Sequence, residues 1–100
     1  MSYSPPVESA LETLRTFESE FKRHGVRQVW LFGSRARGAT PAMSDWDILV
    51  EFVAPPGFDN FMNLKLVLEE KLGARVDLLS RSACKPRFLQ AIQEDLRDVA

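Results

Sequence analysis

Cysteine and histidine are scarce in this sequence, with one of each among 100 residues. A lone Cys84 excludes an internal disulfide and any zinc site built from cysteines, and a free thiol suits a reducing compartment. An excess of charge of either sign is also lacking. Thirteen Lys and Arg stand against fourteen Asp and Glu, for a net charge of −1 and a pI near 5.8. A general nucleic-acid binder needs a basic face to neutralise phosphates, so direct nucleic-acid binding is not expected. No apolar run approaches the ~20 residues of a membrane helix. The opening MSYSPPVESALETL lacks the basic end and apolar block of a signal peptide. These absences lead us to expect a cytoplasmic protein without membrane association. There is no internal repeat and no low-complexity tract. What remains is 45% hydrophobic and 27% charged, an ordinary composition for one domain spanning 1–100, with 1–5 a loose terminus.

Periodicity supplies the elements. Val7, Leu11, Leu14, Phe17 and Phe21 recur at three- and four-residue steps and predict one amphipathic helix, which Gly25 stops. Val26–Phe32 is short, β-rich and bounded by glycines, a strand. Gly33–Gly38 reads as a tight turn opening a short helix, and Ala39–Ser44 as a loop in which Ser44 caps its own turn. A second strand covers Asp45–Phe52. Phe61, Leu64, Leu68 and Leu72 mark a helix ended by Gly73, in which Asn60 and Asn63 are ordinary positions. A third strand covers Arg75–Ser80. A last helix starts near Pro86 and puts Phe88, Leu89, Ile92 and Leu96 on one face. The expected fold is α/β (α+β): a small mixed sheet of three strands, with room for a fourth, flanked by about four helices. Whether the first two strands run parallel or antiparallel is open at this level.

The stretch that carries chemistry is Gly33-Ser34, ten residues, then Asp45-Trp46-Asp47. Phosphates must approach backbone N–H groups closely, and glycine leaves room for that. Ser34 adds a hydroxyl, and a helix beginning there would add its free N–H groups. Arg35 and Arg37 are either further phosphate contacts or solvated surface cations. Asp45 and Asp47, two apart on a strand, project from one face with Cα atoms ~6.6 Å apart. That spacing suits Mg²⁺, which takes one or two carboxylates plus phosphate oxygens. Trp46 points the other way, into the core. Asp77 sits between apolar neighbours in the third strand. It is either an edge-strand acid facing water or, if that strand lies beside the second, a third carboxylate for the same cation and a base for an attacking hydroxyl. Trp30 and Phe32 read as packing residues, His24 as a helix C-terminal cation rather than a base, and Cys84 as a part-buried thiol without a redox role.

Leu-Phe-Gly-Ser-Arg-Ala-Arg-Gly followed by Ser-Asp-Trp-Asp-Ile-Leu-Val resembles the signature of the DNA-polymerase-beta-like nucleotidyltransferase superfamily. The short chain is similar to its smallest branch, the minimal nucleotidyltransferase (MNT) antitoxins. The resemblance covers most of the chain. It implies that Gly33 and Ser34 cradle phosphate, that Asp45 and Asp47 bind metal, and that Asp77 is the third carboxylate. It also implies transfer of AMP from ATP with Mg²⁺. The acceptor it implies is a hydroxyl, a tyrosine, of a HEPN (higher eukaryotes and prokaryotes nucleotide-binding) ribonuclease toxin. The acceptor surface is expected from such a partner, because the chain stops after its fourth helix. Neutralisation by binding alone is the alternative. A small-molecule transferase, which would normally need a larger acceptor lobe, ranks third.

Overall fold

The computed structural model describes residues 6–38 and 45–99. The terminus 1–5, the loop Ala39–Ser44 and the cap assigned to Ser44 lie outside them. The first helical pattern is two helices rather than one: α1 (Pro6–Arg15) and α2 (Glu18–Arg23). Two threonines explain the break. Thr13 Oγ1 donates to the Ser9 carbonyl at 3.0 Å and Thr16 Oγ1 to the Thr13 carbonyl at 2.6 Å. Hydroxyls that bond back to the preceding turn bend and weaken a helix, and Phe17 follows with ψ 18°. The apolar stripe survives the break. Leu11, Leu14 and Phe21 are buried in one cluster, and Phe17 packs against it.

Then come β1 (Val26–Phe32), a single-turn α3 (Gly33–Ala36), β2 (Trp46–Phe52), α4 (Phe58–Leu72), β3 (Val76–Ser80), α5 (Pro86–Ile92) and β4 (Arg97–Asp98). The sheet order is β3-β2-β1-β4. β1 runs antiparallel to both β2 and β4, and β2 runs parallel to β3 with α4 as the crossover. The sheet is therefore mixed and four-stranded among the described residues. The expected last helix stops at Ile92, and Leu96 follows in extended geometry after a 3-10 turn at Gln93–Asp95. Leu96 still joins the cluster of Leu89 and Ile92, so the apolar face outlasts the helix. Val99 N–H donates to the Val29 carbonyl at 2.9 Å and Arg15 Nε to the Val99 carbonyl at 3.0 Å. These bonds pin the end of the chain to β1 and α1.

Strand alternation divides the residues between two faces. Val29, Leu31, Trp46, Ile48, Val50, Val76 and Leu78 face α1, α2 and α4 in the larger core. Trp30, Phe32 and Leu49, with Leu79 beside them, face α5 in the smaller one. Asp47 and Asp77 are in phase with this second set. Asn60 also has a structural task, because its Nδ2 donates to the His24 carbonyl at 2.8 Å and ties the start of α4 to the end of α2. His24 sits at the C-cap of α2, with Nδ1 2.8 Å from the Glu20 carbonyl.

Candidate active site

Register brings the motif together. Phe32 pairs with Asp47, and Asp47 pairs with Asp77. Gly33, the residue after Phe32, therefore lands beside Asp47. It has φ +75°, and a Cβ built there would collide with Asp47 Oδ2 and lie 2.9 Å from its Cγ. Glycine is required twice over, by the left-handed backbone and by the carboxylate against it. This close approach to Asp47 is a reason for glycine that the motif alone did not disclose. The turn then enters α3, whose N-cap Phe32 makes no side-chain capping bond.

Asp47 is half-buried and stands opposite Asp77 in the register of β2 and β3. Burial first, then hydrogen bonding to Asp77 and the charges of Asp77 and Asp45, push the Asp47 pKa up to about 6, while Arg37 opposes the rise. Asp77 is exposed on the edge strand, yet still reaches its partner. Asp45 stands one residue before β2, near enough to act on Asp47 through its charge. Among the described residues, no three His, Cys, Asp or Glu side chains are placed to hold a metal ion together, the expected set Asp45, Asp47 and Asp77 included. The arrangement is a tight carboxyl pair with a third acid nearby. A half-buried acid with two further acids close by suits a divalent cation, which would relieve their repulsion.

The two arginines of the motif have partners of their own. Arg37 Nη1 pairs with Asp95 Oδ2 at 2.8 Å. The Arg35 guanidinium lies 4.1 Å from the centroid of the Trp46 ring. Burial lowers the Arg35 pKa and the charge of Asp47 raises it, so Arg35 is within electrostatic reach of the site.

A cleft of about 570 Å³ opens over the acid pair, lined by Phe32, Asp47, Phe61, Met62, Lys65, Asp77, Leu78, Leu79 and Phe88. Its walls are apolar and its polar groups few, as in small-molecule sites generally. Phe88 meets Phe32 edge-on at 6.2 Å between ring centroids. A larger hollow of about 630 Å³ shares Phe61, Leu78 and Leu79 but is lined by no carboxylate, so the chemistry belongs to the smaller one. Lys65 was not singled out in the sequence, where it reads as one more charge on an amphipathic helix. Cys84 lies outside the acid cleft. Its thiol donates to the Ser80 carbonyl at 3.3 Å, and burial raises its pKa.

Residues 15–97 match the family model described as "Polymerase beta, Nucleotidyltransferase". The chain belongs to that family. It is 41% identical over 78 residues to the protein adenylyltransferase MntA of Thermococcus cleftensis, covering 78% of this chain and 76% of MntA. A solved chain provisionally identified as a minimal nucleotidyltransferase is 34% identical with a TM-score of 0.78, covering 97% of this chain and 98% of that one. A third match, at 16% identity, speaks for the fold alone. It is a chain from the complex of a tri-AMPylated Shewanella oneidensis HEPN toxin with its MNT antitoxin, with a TM-score of 0.70 and coverage of 89% and 70%. The expected family and mixed-sheet fold are both borne out. No helix among the described residues is long and apolar enough to cross a membrane.

Proposed function

We propose that this nucleotidyltransferase transfers AMP from ATP to a tyrosine hydroxyl of a partner HEPN ribonuclease toxin, and that it serves as that toxin's antitoxin. The observation that carries the reading is the line formed by Gly33 just after β1, Asp47 on β2 and Asp77 on β3. A glycine turn at one end of that line suits the leaving pyrophosphate, and an exposed carboxylate at the other suits an incoming hydroxyl. An in-line displacement at phosphorus needs these two on opposite sides of the reacting phosphate. Asp45 and Asp47, with Asp77, would hold Mg²⁺. Bound there, the ion would supply charge stabilisation to the phosphates. The backbone and hydroxyl of Gly33-Ser34 would bind the β- and γ-phosphates, with Arg35 and Arg37 adding positive potential behind them. Asp77 accepts the proton of the attacking hydroxyl. The adenylyltransferase relative at 41% identity favours AMP and a protein acceptor over other members of the superfamily's chemistry.

The test is incubation of the protein with labelled ATP, Mg²⁺ and a HEPN toxin encoded beside it. Label should appear on a toxin tyrosine, with loss of ribonuclease activity. Asp47→Asn should reduce transfer at least about 1,000-fold while still binding the toxin. Full neutralisation by Asp47→Asn would show that binding alone suffices.

A further inference from the structure

Two cations act on Asp47 through their charges, and a third lines its cleft. Arg37 is paired with Asp95, and the Arg35 guanidinium lies over the Trp46 ring. Lys65, on α4, lines the cleft together with Asp47 and Asp77. Its side chain is 31% exposed, and Nζ is 3.6 Å from Glu69 Oε2, longer than a hydrogen bond. Glu69 is anchored in turn, because its Oε2 accepts the Val76 N–H at 3.1 Å. That bond keeps the Glu69 carboxyl below its ordinary pKa. A charged Glu69 is thus fixed to the residue beside Asp77. It holds the Lys65 ammonium at the cleft wall while leaving N–H donors for a further partner.

We propose that Lys65 is the cation that binds a non-bridging oxygen of the nucleotide's α-phosphate, from the β3 side of the site. This rests on the nucleotidyl-transfer reading above. Asp45, Asp47 and Asp77 put a concentration of negative charge where an anionic phosphate must settle. In the transition state, charge spreads over the equatorial oxygens of the transferred phosphoryl group. The arginines after Gly33 lie on the β1 side, toward the leaving group. Lys65 reaches the cleft from α4, the crossover that leads into the edge strand β3. It moves no proton. The acceptor oxygen bonds to the α-phosphorus, and the bridging P–O bond breaks with its electron pair leaving on pyrophosphate. The hydroxyl proton passes to Asp77, and Lys65 stays an ammonium throughout.

The experiment uses the full chain, the non-hydrolysable analogue AMP-CPP, and the two ATPαS diastereomers. With Mg²⁺ present, Lys65→Met should weaken AMP-CPP binding about tenfold by calorimetry and slow AMP transfer about 100-fold. Its preference between the diastereomers should fall toward unity, an effect that loss of packing would not produce. Lys65→Arg should recover most of the binding. Glu69→Gln keeps an acceptor for Val76 and should lose only about threefold. Wild-type affinity and an unchanged diastereomer preference in Lys65→Met would overturn the assignment. So would equal losses in Lys65→Met and Glu69→Gln accompanied by a lowered melting temperature. Lys65-dependent AMP-CPP binding in a protein that transfers no AMP would uphold the contact and reject the proposed function instead.

Discussion

At the scale of single residues, Gly33 and Asp47 constrain each other. Gly33→Ala places a methyl group into the Asp47 carboxylate and forces a side chain into left-handed backbone. We predict a loss of about 1–3 kcal/mol in urea unfolding and a fall in AMP transfer of at least about 100-fold, read by label incorporation. Asp47 makes a second prediction, in pH. Its folded pKa is raised from 3.8 to about 6, so the folded state favours the protonated form. The stabilisation from that proton is complete below pH ~4 and is lost as pH rises through about 6. Metal-free wild type should therefore lose stability between pH 4 and pH 7 relative to Asp47→Asn. The variant should be the more stable of the two at pH 8 by denaturant titration. A carboxyl pair that weakens the empty fold is what a binding site commonly costs. That the Gly33 turn and the acids of β2 belong to one site was expected from the motif, but the contact of Gly33 with the Asp47 carboxylate was not, because only the register of β1 and β2 sets it. The turning of Arg35 onto Trp46 and of Arg37 onto Asp95 was not legible either, because long side chains choose partners that only the tertiary fold supplies.

At the scale of elements, the three long strands and α4 were legible because each carries a clear period and a glycine or proline boundary. The element that escaped is β4. It has two residues, Arg97 and Asp98, both charged and exposed, so no hydrophobic pattern announces it. Val99 makes it matter, being buried against the larger core and bonded to Val29. Val99→Ala should cost about 1–3 kcal/mol in urea unfolding, with AMP transfer unchanged in conditions where the protein is folded. The break between α1 and α2 escaped for the opposite reason. The apolar period continues through Thr16 and Phe17, and only the two hydroxyl bonds reveal that the helix does not. Lys65 belongs to this scale as well. A lysine on a helix face is usually solvent-facing, and only the tertiary fold shows that Lys65 shares a cleft with Asp47 and Asp77.

For the molecule as a whole, one face of the sheet is spent on a core and the other is shared between a small apolar cluster and the acids. The strand order is what assembles the site. Had β3 paired anywhere but beside β2, Asp77 would stand away from Asp47 and the third carboxylate would be lost. The account's central claim is that these acids and the Gly33-Ser34 turn enclose one divalent ion with a triphosphate. Calorimetric titration of AMP-CPP into the wild-type protein and into Asp47→Asn, each with Mg²⁺ and with chelator, tests it most directly. The account predicts saturable binding in the wild type with Mg²⁺, and its disappearance with chelator or in the variant. Equal affinity in all four titrations would contradict it.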